Sequence, residues 1–181
     1  MKIFVINGRG GCGKDTFVEL CAKHVPKYMC LNISTVDKVK EIAKLCGWDG
    51  GKEDKDRKFL SDLKALLTEY NDLPHQSVLR DIALFKAWLE TYDMDPDEAI
   101  VFIHCREPEA IERLRKELDA VTVLIRRPFL ENHAYGNMSD DGVANYGYHF
   151  TIINDGTLED LETWAVALRS ANNVKMIDNN K

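Results

Sequence analysis

The residues best suited to chemistry come early in the chain. Gly8, Gly13 and Lys14 stand at the spacing G-x-x-x-x-G-K inside the segment GRGGCGKDT, Gly8 to Thr16. That spacing suits a phosphate. Glycines let the backbone wrap it with successive N–H groups pointing inward, the helix N-terminus behind adds positive potential, and the lysine reaches the β- and γ-phosphates of a nucleotide. Gly8, Arg9, Gly10, Gly11, Cys12, Gly13 and Lys14 are therefore candidate nucleotide contacts, and ATP with Mg²⁺ is the implied pair. Where a hydroxyl usually follows the lysine to meet the metal, this chain has Asp15, and the hydroxyl comes one place later at Thr16. A carboxylate is also a hard oxygen ligand. Asp15 is thus either a metal ligand, direct or through water, or an acidic first-turn residue favoured by the helix dipole; Thr16 is a second candidate for metal or phosphate.

Phosphoryl transfer is mainly positioning and charge stabilisation, so it calls for cations around the donor phosphate and around the accepting group. Of the nine arginines, Arg106 and the pair Arg126-Arg127 directly follow apolar runs that read as strands, which puts them at the ligand edge of a sheet. With Lys14 they are the candidate catalytic cations. Arg9, inside the loop, either folds over the nucleotide or faces solvent. Asp37 and Lys40 are three apart at the start of a helix and share a face. They suit an acceptor's hydroxyl or base and its phosphate, or equally an N-terminal aspartate with a surface ion pair. Arg57 is a further acceptor candidate. A hydroxyl acceptor would use a carboxylate base, with Asp37 the candidate, whereas the many arginines favour a phosphate acceptor. His104, in the apolar run AIVFIHC, reads as a satisfied core residue, Trp88 and Trp164 fall on helical stripes that read as core, and no Cys–His spacing suggests a nucleophilic dyad.

The elements that must hold these residues follow from periodicity. Lys2 to Asn7 (KIFVIN) is a short strand running into the loop, and a helix from about Lys14 to Val25 stops before Pro26. Met29 to Thr35 reads as a second strand and Asp37 to Cys46 as a helix ended by Gly47. Gly50 to Asp56 reads as a loop; Phe59, Leu63, Leu66 and Tyr70 then repeat at helical spacing, and after a break at Asn71 to Pro74, Leu79, Ile82, Phe85 and Leu89 mark another helix. Ala99 to Cys105 is a continuous apolar run of the kind buried on both faces of a parallel sheet. Pro108 opens a helix with Ile111, Leu114 and Leu118 inward. Val121 to Ile125 is a fourth strand and His149 to Asn154 a fifth; Asp155-Gly156 is a turn and Thr157 caps a last helix with Leu158, Leu161, Trp164 and Leu168 inward. From Arg126 to Tyr148 there is no apolar period, and a segment that long is expected to be a lid over the nucleotide. Alternating strands and helices imply an α/β fold, a five-stranded, mostly parallel sheet covered on both faces, with ligands at the strand C-termini.

Composition sets the outer bounds. The 181 residues carry 24 Lys plus Arg against 30 Asp plus Glu, a net charge of -6, which argues against a surface that grips nucleic acid. At 45% hydrophobic and 30% charged the chain can bury a core as one domain, residues 1–181. The five cysteines show no zinc or disulfide spacing and read as thiols of a reducing cytoplasm. No run approaches the roughly 20 apolar residues that span a bilayer, so the expectation is a cytoplasmic protein without membrane association, a monomer or homodimer.

Gly-Lys-Asp-Thr in place of Gly-Lys-Ser/Thr resembles the loop of the phage-type deoxynucleoside monophosphate kinases, and Gly-Lys-Asp is also found in animal-type phosphomevalonate kinases. Thr35 to Lys40 (TVDKVK) is similar to the acidic-x-x-Lys segment opening their acceptor helix, Arg57 to Lys64 (RKFLSDLK) to their next helix, and His104 to Glu109 (HCREPE) to their Asp-x-Arg...Glu segment. Ile153 to Leu161 (INDGTLEDL) resembles the Asn-Asp-Gly turn near the adenine in these enzymes and in dephospho-coenzyme A kinases. The resemblance implies a three-layer P-loop kinase fold with an acceptor region over about 36–95 and a short lid over about 126–148. It implies transfer of the ATP γ-phosphoryl group to a nucleoside or deoxynucleoside monophosphate, the alternatives being another phosphomonoester, dephospho-coenzyme A or an ATP-binding module without transfer, with Asp155 and Gly156 near the base and Asp37, Lys40 and Arg57 at the acceptor. The chain departs from this pattern at His104, where those kinases have an aspartate near the metal.

Overall fold

The computed structural model describes residues 1–26, 28–131 and 146–170. Five strands, β1 (Lys2–Asn7), β2 (Cys30–Ser34), β3 (Ile100–His104), β4 (Val121–Arg126) and β5 (Phe150–Ile153), form one sheet in the order β2-β3-β1-β4-β5. β1 pairs in parallel with β3 and with β4, and β4 in parallel with β5. The apolar runs take the middle because both faces of a central strand are covered: Phe4, Val5 and Ile6 of β1 and Ile100 to Ile103 of β3 are no more than 4% exposed. Phe4 stacks on Phe102 at a centroid distance of 5.4 Å and Phe17 meets Phe102 edge-on at 6.4 Å. These rings join helix α1 (Lys14–Lys23) to the sheet. The register sets Ile6 opposite His104 and Asn7 opposite Leu124. The C-terminal ends of the three middle strands are thereby brought to one edge.

Contacts divide the chain into two units, residues 1–32 with 97–181, and residues 33–96. The second unit consists of α2 (Asp37–Leu45), α3 (Asp54–Asn71) and α4 (Leu73–Thr91), each packed on the other two. α3 starts inside the stretch expected to be loop. Glu53 and Asp56 form a capping box, and this reciprocal side-chain cap satisfies the first N–H groups where the sequence offers only polar residues and glycine. Asp72, at φ 56°, makes the turn between α3 and α4 where the chain was expected to break.

In the first unit α5 (Pro108–Leu118) turns Ile111 and Leu114 inward, and α7 (Leu158–Ser170) packs against α1. α7 buries Leu161, Ala165 and Leu168, a narrower stripe than expected. One packed helix covers one narrow face, so Leu158 and Trp164 lie on its flank, 57% and 49% exposed, and Trp164 is not core. Trp88 is likewise only partly buried; it lies on α4 between Phe85 and Tyr92, at centroid distances of 6.2 and 5.0 Å. Thr157 caps α7 as expected, exchanging hydrogen bonds with Asp160. The expected lid opens with the short helix α6 (Pro128–Glu131), and its residues 132–145 lie outside the described residues.

Leading into β5, Tyr146 donates its hydroxyl to Glu112 on α5 (2.7 Å), and Arg115 grips the same carboxylate with two bonds of 2.8 and 2.7 Å. The arginine holds the Glu112 carboxyl well below the usual range, and burial, with that carboxylate, pushes the Tyr146 phenol up to about 12. His149 Nδ1 accepts the Thr122 backbone N–H at 2.9 Å. Among the described residues no helix is long and apolar enough to cross a membrane.

Candidate functional site

Where β1 ends, the chain turns through the glycine-rich loop into α1. Gly8 (φ 151°), Gly11 (φ 77°) and Gly13 (φ 98°) adopt backbone angles that side chains disfavour. At Gly8 a Cβ would also strike the Ile125 carbonyl and lie 2.6 Å from Cys12 Sγ. A turn closes the loop, with Cys12 N–H donating to Arg9 O at 3.2 Å. Lys14 folds over it, its ammonium donating to Gly8 O (2.6 Å) and Arg9 O (2.9 Å) and lying 3.8 Å from Cys12 Sγ. Burial pushes the Cys12 thiol up although the ammonium beside it pulls the other way. Among the described residues the N–H groups of Gly10, Gly11, Gly13 and Lys14 have no protein acceptor. Unpaired donors at a helix start, with a lysine above them, are an arrangement that suits an anion.

Two asparagines hold this loop at its two ends: Asn154, the first residue of the Asn-Asp-Gly turn noted in the sequence, and Asn7, which was not among the residues picked out from it. Asn7, 1% exposed, accepts the Gly8 N–H on Oδ1 (2.7 Å) and donates from Nδ2 to the Tyr148 hydroxyl (2.7 Å) and to Arg106 O (3.2 Å). Asn154, just past β5, donates from Nδ2 to Cys12 O (2.8 Å), and its amide occupies the space a Gly13 Cβ would enter. The sequence did carry a signal for Asn7: a carboxamide at the last place of an otherwise apolar central strand must find several partners inside the protein.

Arg106 follows β3, and its carbonyl is the one held by Asn7. Arg126 ends β4 and accepts the Asn154 N–H on its carbonyl (2.7 Å); Arg127 comes next. All three arginine side chains are exposed. Asp15 is exposed beside the loop, with His104 Nε2 4.0 Å from its Oδ1 and 2.9 Å from Asn32 Oδ1. His104 is thus a half-buried polar residue at the strand end, facing the start of α1, rather than a member of the core. Among the described residues no three His, Cys, Asp or Glu side chains are grouped to hold a metal, so a metal here would need oxygens from a bound nucleotide as well as from Asp15 or Thr16. Asp155 and Gly156 form the exposed turn after Asn154.

The acceptor candidates Asp37, Lys40 and Arg57 all lie in the second unit. Asp37 Oδ2 accepts the Ser34 N–H at 2.7 Å, Lys40 is exposed on α2, and Arg57 Nε donates to Lys52 O at 2.9 Å. The ion pair on this helix is between Lys38 and Glu41, not between Asp37 and Lys40.

No family model and no curated protein matches the chain in sequence. Among solved structures, thymidylate kinase from Ehrlichia chaffeensis superposes with a TM-score of 0.52 at 10% identity, covering 92% of this chain and 97% of that one. The chain has the P-loop kinase fold. Weaker likenesses are to shikimate kinase from Aquifex aeolicus (TM-score 0.46, 12% identity, 94% and 96% covered) and an APS kinase from Mycobacterium tuberculosis (0.43, 12%, 94% and 97%). In this fold the glycine-rich loop leaves β1 between β3 and β4, at the strand C-termini where open α/β sheets place ligands.

Proposed function

We propose that the protein is an ATP-dependent kinase that transfers the γ-phosphoryl group to the phosphate of a nucleoside or deoxynucleoside monophosphate. The observation that carries this reading is the loop itself: three glycines in special conformations, four unpaired N–H groups and Lys14 poised over them at the start of α1. Lys14 leaves the Gly8 and Arg9 carbonyls to hold the β- and γ-phosphates, and the amides of Gly10 to Lys14 hold the same oxygens. Arg9 covers the nucleotide, and Asp155 and Gly156 lie by its base. The γ-phosphorus gains a bond to an acceptor phosphate oxygen and loses its bond to the β-phosphate bridging oxygen, giving ADP and a nucleoside diphosphate. Arg106, Arg126 and Arg127 offset the negative charge of that transfer, and residues 126–148 act as the lid. Asp15 and Thr16 are the residues that would hold Mg²⁺, which supplies charge neutralisation between the phosphates. Asp37, Lys40 and Arg57 bind the acceptor, and the fold shared with thymidylate kinase supports an acceptor of this class.

A second reading, an ATP-binding module without transfer, is favoured by one observation: His104 stands where the kinases this chain resembles carry an aspartate. ADP release from ATP-Mg²⁺ over a panel of nucleoside monophosphates, other phosphomonoesters and dephospho-coenzyme A separates the readings. Turnover on a monophosphate supports the proposal. Nucleotide binding with no turnover on any acceptor favours the module.

A further inference from the structure

We infer that Asn7 and Tyr148 act as a positioning pair for the proposed transfer, holding the first glycine of the phosphate loop in register with Arg106. The inference rests on the kinase reading for its chemistry and on the hydrogen-bond geometry for its placement. Asn7 closes the central strand, so a single buried carboxamide stands where the donor-binding loop and the arginine after β3 both begin. Its oxygen fixes the Gly8 N–H at 2.7 Å, and one of its two amide hydrogens fixes the Arg106 carbonyl at 3.2 Å. The other hydrogen goes to the Tyr148 hydroxyl at 2.7 Å. A planar amide bonded on three sides has one orientation, so the loop and Arg106 are set by the same rigid group.

Tyr148 is itself braced. Its ring meets Tyr146 edge-on at a centroid distance of 5.0 Å, Tyr146 is tied by its hydroxyl to Glu112 on α5, and the next residue, His149, is bonded to Thr122 on β4. Burial raises the Tyr148 phenol, which therefore stays neutral at ordinary pH. Removing the hydroxyl would leave one Asn7 N–H buried without that partner, and such a group is costly enough for the amide to turn toward another acceptor. Gly8 and Arg106 would then shift together. Transfer is sensitive to this, since a misplacement of about 1 Å can cost on the order of a hundredfold in rate.

The test is steady-state kinetics of Tyr148→Phe and Asn7→Asp beside ¹⁵N spectra of the glycine amides. Tyr148→Phe should lower kcat about tenfold and change KM for ATP less than about threefold. Asn7→Asp keeps an acceptor for Gly8 but loses both donors, and should lower kcat on the order of a hundredfold. In Tyr148→Phe the Gly8 amide signal should move while those of Gly47 and Gly50, in the other unit, stay. If Tyr148→Phe lowers only the melting temperature, with kcat and the Gly8 signal unchanged, the pair is merely structural and the inference is overturned. If the wild-type protein turns over no acceptor, the kinase reading fails by itself and the Gly8 signal alone decides whether the pair holds the loop: displaced supports it, unmoved overturns it.

Discussion

Alanine at Gly13 tests whether the loop is held as the hydrogen bonds indicate. Gly13 has φ 98° and ψ 18°, and a residue with a Cβ in the left-handed region is strained by about 1–2 kcal/mol. The new methyl would also enter the space of Asn154 Nδ2, so the amide must move and give up its 2.8 Å bond to Cys12 O, worth about 1 kcal/mol. The sum, about 2–3 kcal/mol, should lower the melting temperature of a chain this size by about 4–12 °C. A double-mutant cycle isolates the contact. Asn154→Ala alone should cost about 1 kcal/mol, and in that background Gly13→Ala should cost only its strain, leaving a coupling of about 1 kcal/mol. Urea unfolding followed by circular dichroism measures all three variants. Gly13→Ala within about 0.5 kcal/mol of wild type, or strict additivity with Asn154→Ala, would refute the reasoning.

Lys14→Met should abolish stabilisation by nucleotide. At a hundredfold excess over Kd, ATP-Mg²⁺ should stabilise the wild type by about 2.7 kcal/mol and the variant by almost nothing in a thermal-shift titration; equal shifts would remove Lys14 from the phosphate site. His149 should make stability fall in mild acid. Burial first, and then the Arg115 charge, lowers the affinity of the folded ring for a proton, and Nδ1 already accepts from Thr122. The contribution is therefore complete above an unfolded pKa of about 6.5 and is lost as pH falls below it, so His149→Gln should flatten the stability profile there, and an unchanged profile would contradict the assignment. A thiol reagent should find one fast group, Cys46, because Cys12, Cys21 and Cys105 are buried and burial pushes Cys21 up to about 12 and the half-buried Cys30 up to about 11. A second fast thiol in the native protein would count against this packing.

The strands and the glycine-rich turn into α1 were legible because their signals are local. KIFVIN and AIVFIHC are continuous apolar runs that central positions of a parallel sheet require, and glycines at fixed offsets before a lysine need no tertiary information. Signals that depend on a partner far along the chain were not legible. The bonds of Asn7 to Tyr148 and of Asn154 to Cys12 cross more than a hundred residues; the place of Asn7 in an apolar strand says that it needs partners, but nothing nearby says which. Trp164 failed for the same reason: periodicity locates a stripe, but its width depends on how many helices pack against it. The start of α3 was missed because a Glu/Asp capping box is spelled with residues that also make loops. Asp37 and Lys40 were placed on one helix as expected, yet spacing alone did not reveal that Asp37 caps the Ser34 N–H.

Transfer itself is the central claim, and ³¹P NMR of wild-type protein with ATP-Mg²⁺ and a panel of nucleoside monophosphates tests it most directly. The account predicts that resonances of ADP and of one nucleoside diphosphate grow together in equal amounts and that neither appears with Lys14→Met. ATP bound to the wild type with the monophosphates unchanged, or ADP growing with inorganic phosphate and no diphosphate product, would contradict it.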